Sequence, residues 1–317
     1  KNSLDETSNL PKLGCSQVRK GNFVGRNLDY YINSDLNAVI RVNHKGEPEK
    51  ATVSDLTAFY TSRYASIGVT GCSPNFTTEA VSNTTDLLPV YEILPISTLD
   101  GINENGVYVA INMDGTGETS EDTSRWNFGY FGLGAAFTNP SSSLKMSTYG
   151  LVRVVLDHAK SAEHAVSLLE KANIVGGFGQ YGLHWMIADE KDTYVVEVIG
   201  GKLAVSKNEY YYMTNFYLNY GPVQEKQTVA GTDFKNIPLL NERAIGVERW
   251  DYIRSHYEEG ASFEGMAKLM ENVKATTVYS QSADELWLTE HSSDGLTIHS
   301  TREDFLRVAA QQQEMYK

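Results

Sequence analysis

The chain of 317 residues is long enough to bury a substantial core, as one large domain or two ordinary ones. A composition of 41% hydrophobic and 21% charged residues is that of a globular protein and excludes disordered and repeat architectures. The net charge of −13 repels phosphate backbones, so nucleic acid is not an expected partner.

Metal and membrane signals are absent from the sequence. Two cysteines, Cys15 and Cys72, are too few for a disulfide framework, and the seven histidines lack metal-ligand spacing, so we expect no metal and no cofactor. No apolar run approaches membrane-spanning length. Residues 1–14 are polar, so we expect a propeptide or the remnant of a cleaved leader ahead of one domain, 15–317. That favours a secreted or periplasmic location, with the cytoplasm as the alternative.

The first half of the chain is predicted to be mostly strands. Residues 12–30 form a β-hairpin that begins at Cys15, and its second strand, 23–30, is followed by a polar turn and a strand over 37–42. From 50 to 100 the pattern is weak and indicates loops between short strands. A turn at 103–106 precedes a strand over 107–113.

Helices and further strands alternate in the second half. Apolar spacing from Leu144 predicts two helices divided near Ser161. The following strands are expected to form an antiparallel meander over 183–215. Helices are predicted over 237–258 and 262–273, then a hairpin of WLTEH with LTIHS and a terminal helix capped at Ser300. Antiparallel strands flanked by helices, without a Pro- or Gly-rich linker, predict a single α+β domain.

Cys15 is the residue to which the chemistry points. Most free cysteines are small buried hydrophobes, and Cys15 could be one of them. However, Gly14 gives the Gly14–Cys15 peptide bond little steric protection, and Arg26 and Asp29 lie on the partner strand of the predicted hairpin. A cation lowers the pKa of a thiol, and a carboxylate can hold an α-amino group. If the Gly14–Cys15 bond were cut, the nucleophile and its base would belong to one residue.

The segment CSQVRKGNFVGRNLDY resembles the start of the choloylglycine hydrolase family, which comprises conjugated bile-acid hydrolases and penicillin V acylases. Further segments resemble that family in the same order: GINENGVYVAINM, ANIVGG, LHWMIAD, VVEVIGGKLAV and MTNFY. The resemblance covers most of residues 15–250. It implies an N-terminal-nucleophile hydrolase with a four-layer αββα sandwich, two antiparallel sheets between helical layers.

The resemblance also implies a role for each matching residue. Cys15 would be the nucleophile, Arg26 would stand beside its thiolate, and Asp29 would orient its α-amino group. The oxyanion would be bound by the side-chain amide of Asn215 and the backbone N–H of Asn112. Arg249 would support the cysteine, with Arg243 as the competing candidate. Each residue also has an ordinary interpretation: a cross-strand ion pair, asparagines that cap turns, and a solvated helix arginine.

The implied activity is hydrolysis of a linear amide, such as a conjugated bile acid, after autoproteolysis between Gly14 and Cys15. A penicillin V acylase, a fatty N-acyl amide hydrolase, an acyltransferase and a catalytically silent lipid-binding relative are the alternatives. The family also implies an assembly of identical chains, a homotetramer. We expect His184 to be a packed strand histidine and Cys72 to be incidental. A set of aromatic residues could line an apolar acyl pocket or belong to the core: Tyr60, Tyr64, Trp126, Phe128, Tyr130, Phe131, Phe216 and Tyr217.

Overall fold

The computed structural model describes residues 14–29, 37–46, 48–53, 56–72, 98–114, 145–175, 182–199, 202–219, 247–273, 276–280 and 288–291. The strands in these ranges are β1 (Gly14–Lys20), β2 (Phe23–Asp29), β3 (Asn37–Asn43), β4 (Pro48–Val53), β5 (Leu56–Thr61), β6 (Ser66–Cys72), β7 (Thr98–Asn103), β8 (Tyr108–Asp114), β9 (Lys145–Ser147), β10 (Asn173–Val175), β11 (Gly182–Ala188), β12 (Thr193–Ile199), β13 (Lys202–Lys207), β14 (Tyr212–Met213), β15 (Thr276–Ser280) and β16 (Leu288–His291). The helices are α1 (Thr148–His158), α2 (Ala162–Glu170), α3 (Val247–His256) and α4 (Phe263–Val273), with a 3₁₀ turn over Tyr257–Ala261.

Two antiparallel sheets form the centre of the molecule. One has five strands in the order β14-β1-β2-β15-β16, and the other has seven in the order β13-β12-β11-β8-β7-β6-β3. Two small pairs, β4 with β5 and β9 with β10, complete the described strands. Since strands far apart in sequence are neighbours in both sheets, the sheets bring together residues that the chain separates widely.

Helices cover the outer face of each sheet, which produces the expected α+β, four-layer αββα sandwich. Apolar side chains of α1 and α2 form one buried core with outward-facing residues of the seven-stranded sheet, such as Val109, Trp185 and Val196. The break between these helices is at Ser161, whose side chain accepts a hydrogen bond from the backbone N–H of His164. Helix α4 packs against β2 and β15 on the other side.

Alternation along the strands determines which residues enter the layer between the sheets. Gly25 of β2 faces α4, because a Cβ on it would lie 2.5 Å from Met270 Cγ. Val18 lies opposite Gly25 and shares that face, so Cys15 and Gln17 must face the seven-stranded sheet. On that sheet, Tyr108 and Ala110 belong to the same core as Val24 of β2. The candidate nucleophile therefore points into the interior between the two sheets.

One sequence-based expectation about strand pairing was wrong. The meander ends at β13, because β14 leaves it and pairs with β1 in the other sheet. Strands β2 and β3, which follow each other along the chain, belong to different sheets. The described part of the WLTEH strand, β16, pairs with β15, and its expected hairpin with LTIHS stays a prediction. Long-range packing of a sheet face decided that β14 pairs with β1.

Several expectations concern parts of the chain outside the described residues. These are the LTIHS strand, the terminal helix from Ser300 and the beginning of the helix predicted over 237–258. The described part of that helix is α3, and the helix predicted over 262–273 is α4. None of the helices within the described ranges is long and apolar enough to cross a membrane.

Close strand packing at Gly101 provides a test of the seven-stranded sheet. A Cβ on Gly101 would lie 2.5 Å from the backbone oxygen of Ile67 and 3.0 Å from the Cα of Gly68. Because backbone atoms cannot move aside cheaply, Gly101→Ala should lower the free energy of unfolding by about 1–3 kcal/mol in chemical denaturation. Val205→Thr, at a residue 37% exposed, is the control and should change it by less than about 0.5 kcal/mol. Equal stabilities of the two variants would contradict this packing.

Candidate active site

The β1–β2 hairpin positions the first group of candidate residues. Its turn uses Gly21 in the left-handed region, at φ 57°, where glycine is favoured. The register places Arg26 opposite Gln17, Leu28 opposite Cys15 and Asp29 opposite Gly14. The backbone of Asp29 therefore lies directly across from the Gly14–Cys15 peptide bond, while its side chain is outside what the structure describes.

Cys15 is joined to Asn215 by a short hydrogen bond. Strand β14 pairs Met213 with Gln17, and continuing this register by two residues brings Asn215 opposite Cys15. The backbone N–H of Cys15 donates to Asn215 Oδ1 at 2.6 Å. Both residues are buried, with exposed fractions of 6% and 1%. Since Oδ1 is the accepting atom, the amide nitrogen Nδ2 is the end of Asn215 that can donate.

Arg26 is a fully enclosed cation, and its partner comes from the opposite sheet. Its Nε lies 2.8 Å from Oδ2 of Asp100 in β7, and both side chains are 1% exposed. Its Nη2 donates to the backbone oxygen of Ile111 in β8 at 2.8 Å. Sequence reasoning missed Asp100, because nothing along the chain indicates that β2 and β7 face each other across the interior. Arg26 is therefore a buried cation that pairs with Asp100, and its interpretation as an ion pair with Asp29 stays untested because the Asp29 side chain lies outside what the structure describes.

The pKa of Tyr108 is affected by its burial and by the charged groups around Arg26. Burial raises the pKa of its phenol well above the usual value, and the negative charges of Asp100 and Cys15 raise it further while Arg26 lowers it. Tyr108 therefore stays neutral at physiological pH. Its phenol lies close enough to sense the charges of Cys15, Arg26 and Asp100 together.

Asn112 is a connecting residue in the centre of the site. Its Oδ1 accepts from Gln17 Nε2 at 2.8 Å, and its Nδ2 donates to the backbone oxygen of Thr214 at 2.9 Å. It thereby links β1 to the residue that precedes Asn215. This is more than an asparagine that caps a turn, since both of its side-chain contacts reach across the space between the sheets.

Arg249 is completely buried, at 0% exposed, in helix α3. The interpretation of Arg249 as a solvated helix residue is therefore wrong. Helix α3 packs against β1 and β14, the strands that carry Cys15 and lead to Asn215. The next residue, Trp250, packs its ring 4.4 Å from that of Tyr212 and 5.2 Å from that of Phe216, measured between centroids.

The structure brings Cys15, Arg26, Asn112 and Asn215 into one buried network and places Arg249 in the helix behind it. Phe216 and Tyr217, adjacent to Asn215, are buried as well. Most of the other aromatic candidates, together with Arg243, lie outside the described residues or have side chains outside them. Among the residues that are described, no group of His, Cys, Asp or Glu could hold a metal ion.

Comparison with known proteins agrees with this geometry. The family model described as linear amide C–N hydrolases, choloylglycine hydrolase family, matches residues 13–221. The chain therefore belongs to the choloylglycine hydrolase family. A search of curated proteins found no match.

Solved structures share the fold at low sequence identity. A penicillin V acylase from Agrobacterium tumefaciens superposes with a TM-score of 0.53 and 17% identity, covering 88% of this chain and 86% of that one. Two variants of a conjugated bile acid hydrolase from Clostridium perfringens give TM-scores of 0.52 and 0.55 at 15% identity. They cover 91% and 88% of this chain, and 96% and 89% of their own chains. The fold is that of the N-terminal-nucleophile hydrolases.

Asp100→Asn tests whether the buried ion pair belongs to the site. Removing the carboxylate charge takes away a buried countercharge of the Arg26 cation, which should cost about 3–5 kcal/mol of stability. It should also lower the specific activity of the folded fraction, because Arg26 loses the carboxylate of β7 that helps to hold its guanidinium in place.

Asp157→Asn is the matched control for this substitution. Asp157 is 0% exposed and pairs with Arg153 inside helix α1, on the outer side of the seven-stranded sheet. It should lose stability on urea denaturation but keep its activity per folded molecule. If the two variants lose activity to the same extent, Asp100 has only a structural role.

Proposed function

We propose that this protein hydrolyses linear N-acyl amides by means of Cys15, freed as an N-terminal nucleophile by autoproteolysis between Gly14 and Cys15. The observation that carries the proposal is the 2.6 Å contact from the backbone nitrogen of Cys15 to Asn215 Oδ1, inside a buried network that includes Arg26 and Asn112. The family, whose members are linear amide C–N hydrolases, supplies the reaction class.

In the proposed acylation step the Cys15 thiol passes its proton to its own α-amino group. The thiolate then attacks the substrate carbonyl carbon, and the carbonyl electron pair moves to oxygen. Nδ2 of Asn215 and the backbone N–H of Asn112 are proposed to bind this oxyanion. As the carbon–nitrogen bond breaks, the α-ammonium group protonates the departing amine and a thioester remains.

Deacylation in this proposal reverses the role of the amine. A water molecule attacks the thioester while the α-amino group accepts its proton, and the carboxylic acid leaves as the thiol is restored. An α-amino group has an ordinary pKa of about 7.7–8.0, which suits proton transfer at neutral pH. Arg26, held by Asp100, is proposed to stabilise the thiolate. Asp29, whose backbone is opposite Gly14, is proposed to orient the amine.

The same chemistry would release the nucleophile in the first place. In the uncut chain the nitrogen of Cys15 is an amide N–H that donates to Asn215. Cleavage would turn this nitrogen into the α-amino base without moving it from its partner. The proposal therefore requires attack of Cys15 Sγ on the carbonyl carbon of Gly14, with the Gly14–Cys15 C–N bond breaking and the nitrogen taking up the proton that the thiol gives up. Water then hydrolyses the resulting thioester, which leaves a carboxylic acid on Gly14 and restores the Cys15 thiol.

The proposed substrate carries a large apolar acyl group, and a conjugated bile acid is our first candidate. Penicillin V and fatty N-acyl amides are the alternatives for the acyl group, and transfer of the acyl group to an amine is the alternative to hydrolysis. A substrate panel that includes all three classes, with and without an added acceptor amine, separates these reactions by their products.

Cys15→Ala tests the nucleophile. The purified wild-type protein, incubated at neutral pH, should lose the mass of residues 1–14, and the variant should keep its full mass and show no turnover. Ser16→Ala is the matched control, since Ser16 is the neighbouring buried residue on the opposite face of β1, and it should mature and turn over normally. Amide hydrolysis by Cys15→Ala at the wild-type rate would rule out the proposed mechanism.

Asn215→Ala tests the oxyanion donor. Loss of one such donor should lower kcat by about 10²–10³-fold and should also slow the mass change that reports maturation. Asn173→Ala, at a buried asparagine of β10 outside both large sheets, should leave kcat unaltered. An unchanged kcat in Asn215→Ala would remove this residue from the mechanism.

A further inference from the structure

His184 has both ring nitrogens engaged in the layer between the sheets. It is 0% exposed, its Nδ1 lies 3.1 Å from Glu197 Oε1, and its Nε2 lies 2.8 Å from the backbone oxygen of Thr214. Asn112, His184 and Glu197 are directly paired across β8, β11 and β12, so their side chains form one polar row on the inner sheet face. Thr214 is the residue immediately before Asn215.

The hydrogen-bond partners determine where protons must lie. A backbone oxygen only accepts, so Nε2 of His184 must donate to Thr214. Nδ1 faces Oε1 of Glu197 on the other side of the ring. The imidazole therefore connects the Thr214 backbone to the Glu197 side chain.

Glu197 secures the other end of the same segment. Its Oε1 accepts from the backbone N–H of Leu218 and its Oε2 from that of Asn219, each at 2.7 Å. The side chain is 0% exposed. Residues 214–219 are thus tied at Thr214 by His184 and at Leu218 and Asn219 by Glu197. Asn215 lies between these two attachments.

We propose that His184 and Glu197 are positioning residues, which hold the 214–219 segment so that Asn215 Nδ2 faces the reacting carbonyl. This inference rests on the proposed function for its catalytic consequence. A residue that only packs would fill space in the core. His184 and Glu197 instead hold the backbone of one segment through hydrogen bonds, and neither side chain acts on the substrate.

The hydrogen-bond partners of His184 and Glu197 argue against a purely structural role for this pair. Strands β11 and β12 are already joined by their backbone ladder, so the pair is not needed to hold them together. A buried ionic pair is at best comparable in stability to apolar side chains of similar size. Its remaining hydrogen bonds all go to the segment that carries Asn215, and a second donor, Asn112 Nδ2, reaches the same Thr214 oxygen. The arrangement restrains a loop next to the nucleophile.

Two substitutions separate the contacts of His184. In His184→Gln the amide nitrogen can occupy the place of Nε2 and still donate to Thr214, whereas in His184→Asn it can occupy only the place of Nδ1. We expect His184→Asn to lower kcat by about 10²-fold, the cost of misplacing a catalytic group by about 1 Å, with KM little changed. His184→Gln should retain most of the wild-type kcat.

Trp185→Phe is the control for general destabilisation. Trp185 is the next residue of β11, is also 0% exposed, and faces the helical side of the sheet. It should lower Tm while leaving kcat near the wild-type value. The inference is overturned if His184→Asn turns over at the wild-type rate, or if kcat in all three variants simply follows their Tm.

Hydrogen exchange provides a readout that does not depend on activity. Glu197→Gln should speed exchange of the Leu218 and Asn219 amides about tenfold or more, since both amides donate to the Glu197 carboxylate and these hydrogen bonds are lost or weakened. Unchanged exchange of both amides in this variant overturns the inference. If the wild-type protein cleaves no linear amide, the proposed function fails, and the exchange rates still decide whether this pair restrains the segment.

Discussion

A buried cation sets the conditions of this site. Arg26 lies between two sheets with 1% of its side chain exposed, so its charge must be compensated from within the protein. Asp100 of the opposite sheet provides the countercharge and Ile111 provides a backbone acceptor. Meeting this requirement fixes the position of the hairpin that carries Cys15 relative to β7 and β8. The site therefore exists only when the two sheets are packed face to face.

Burial in the layer between the sheets strengthens each polar contact. Hydrogen bonds and charges interact more strongly where water is excluded, and unpaired groups become correspondingly costly. The polar groups here are accordingly paired: Gln17 donates to Asn112, and Asn112 donates to the backbone oxygen of Thr214. The next residue, Asn215, accepts from Cys15. Cys15, the proposed nucleophile, is held in one geometry by such a network, which would suit the proposed chemistry better than a mobile surface cysteine.

Because side chains alternate along a strand, the two faces of the seven-stranded sheet carry different kinds of residues. Inward-facing positions of β8, β11 and β12 carry Asn112, His184 and Glu197, while their outward neighbours Ile111, Trp185 and Val196 build the core under α1 and α2. Stability and site chemistry are therefore assigned to opposite faces of the same strands. A substitution on the outer face can change stability with little effect on the geometry of the site, and His184 with Trp185 is the sharpest such comparison.

The sequence by itself determined the local secondary structure and identified the candidate site residues of the β1–β2 hairpin. The β1–β2 pairing, the break at Ser161 and the helices that follow all depend on neighbours within a few residues, which patterns and caps report directly. Ordered motifs also placed the chain in its family and pointed to Cys15, Arg26, Asn112, Asn215 and Arg249. Tertiary structure alone decided that β14 pairs with β1, that Asp100 is the partner of Arg26, and that His184 and Glu197 engage the segment around Asn215. These contacts join strands that are distant in sequence, and their formation depends on burial of whole sheet faces, which no local pattern encodes.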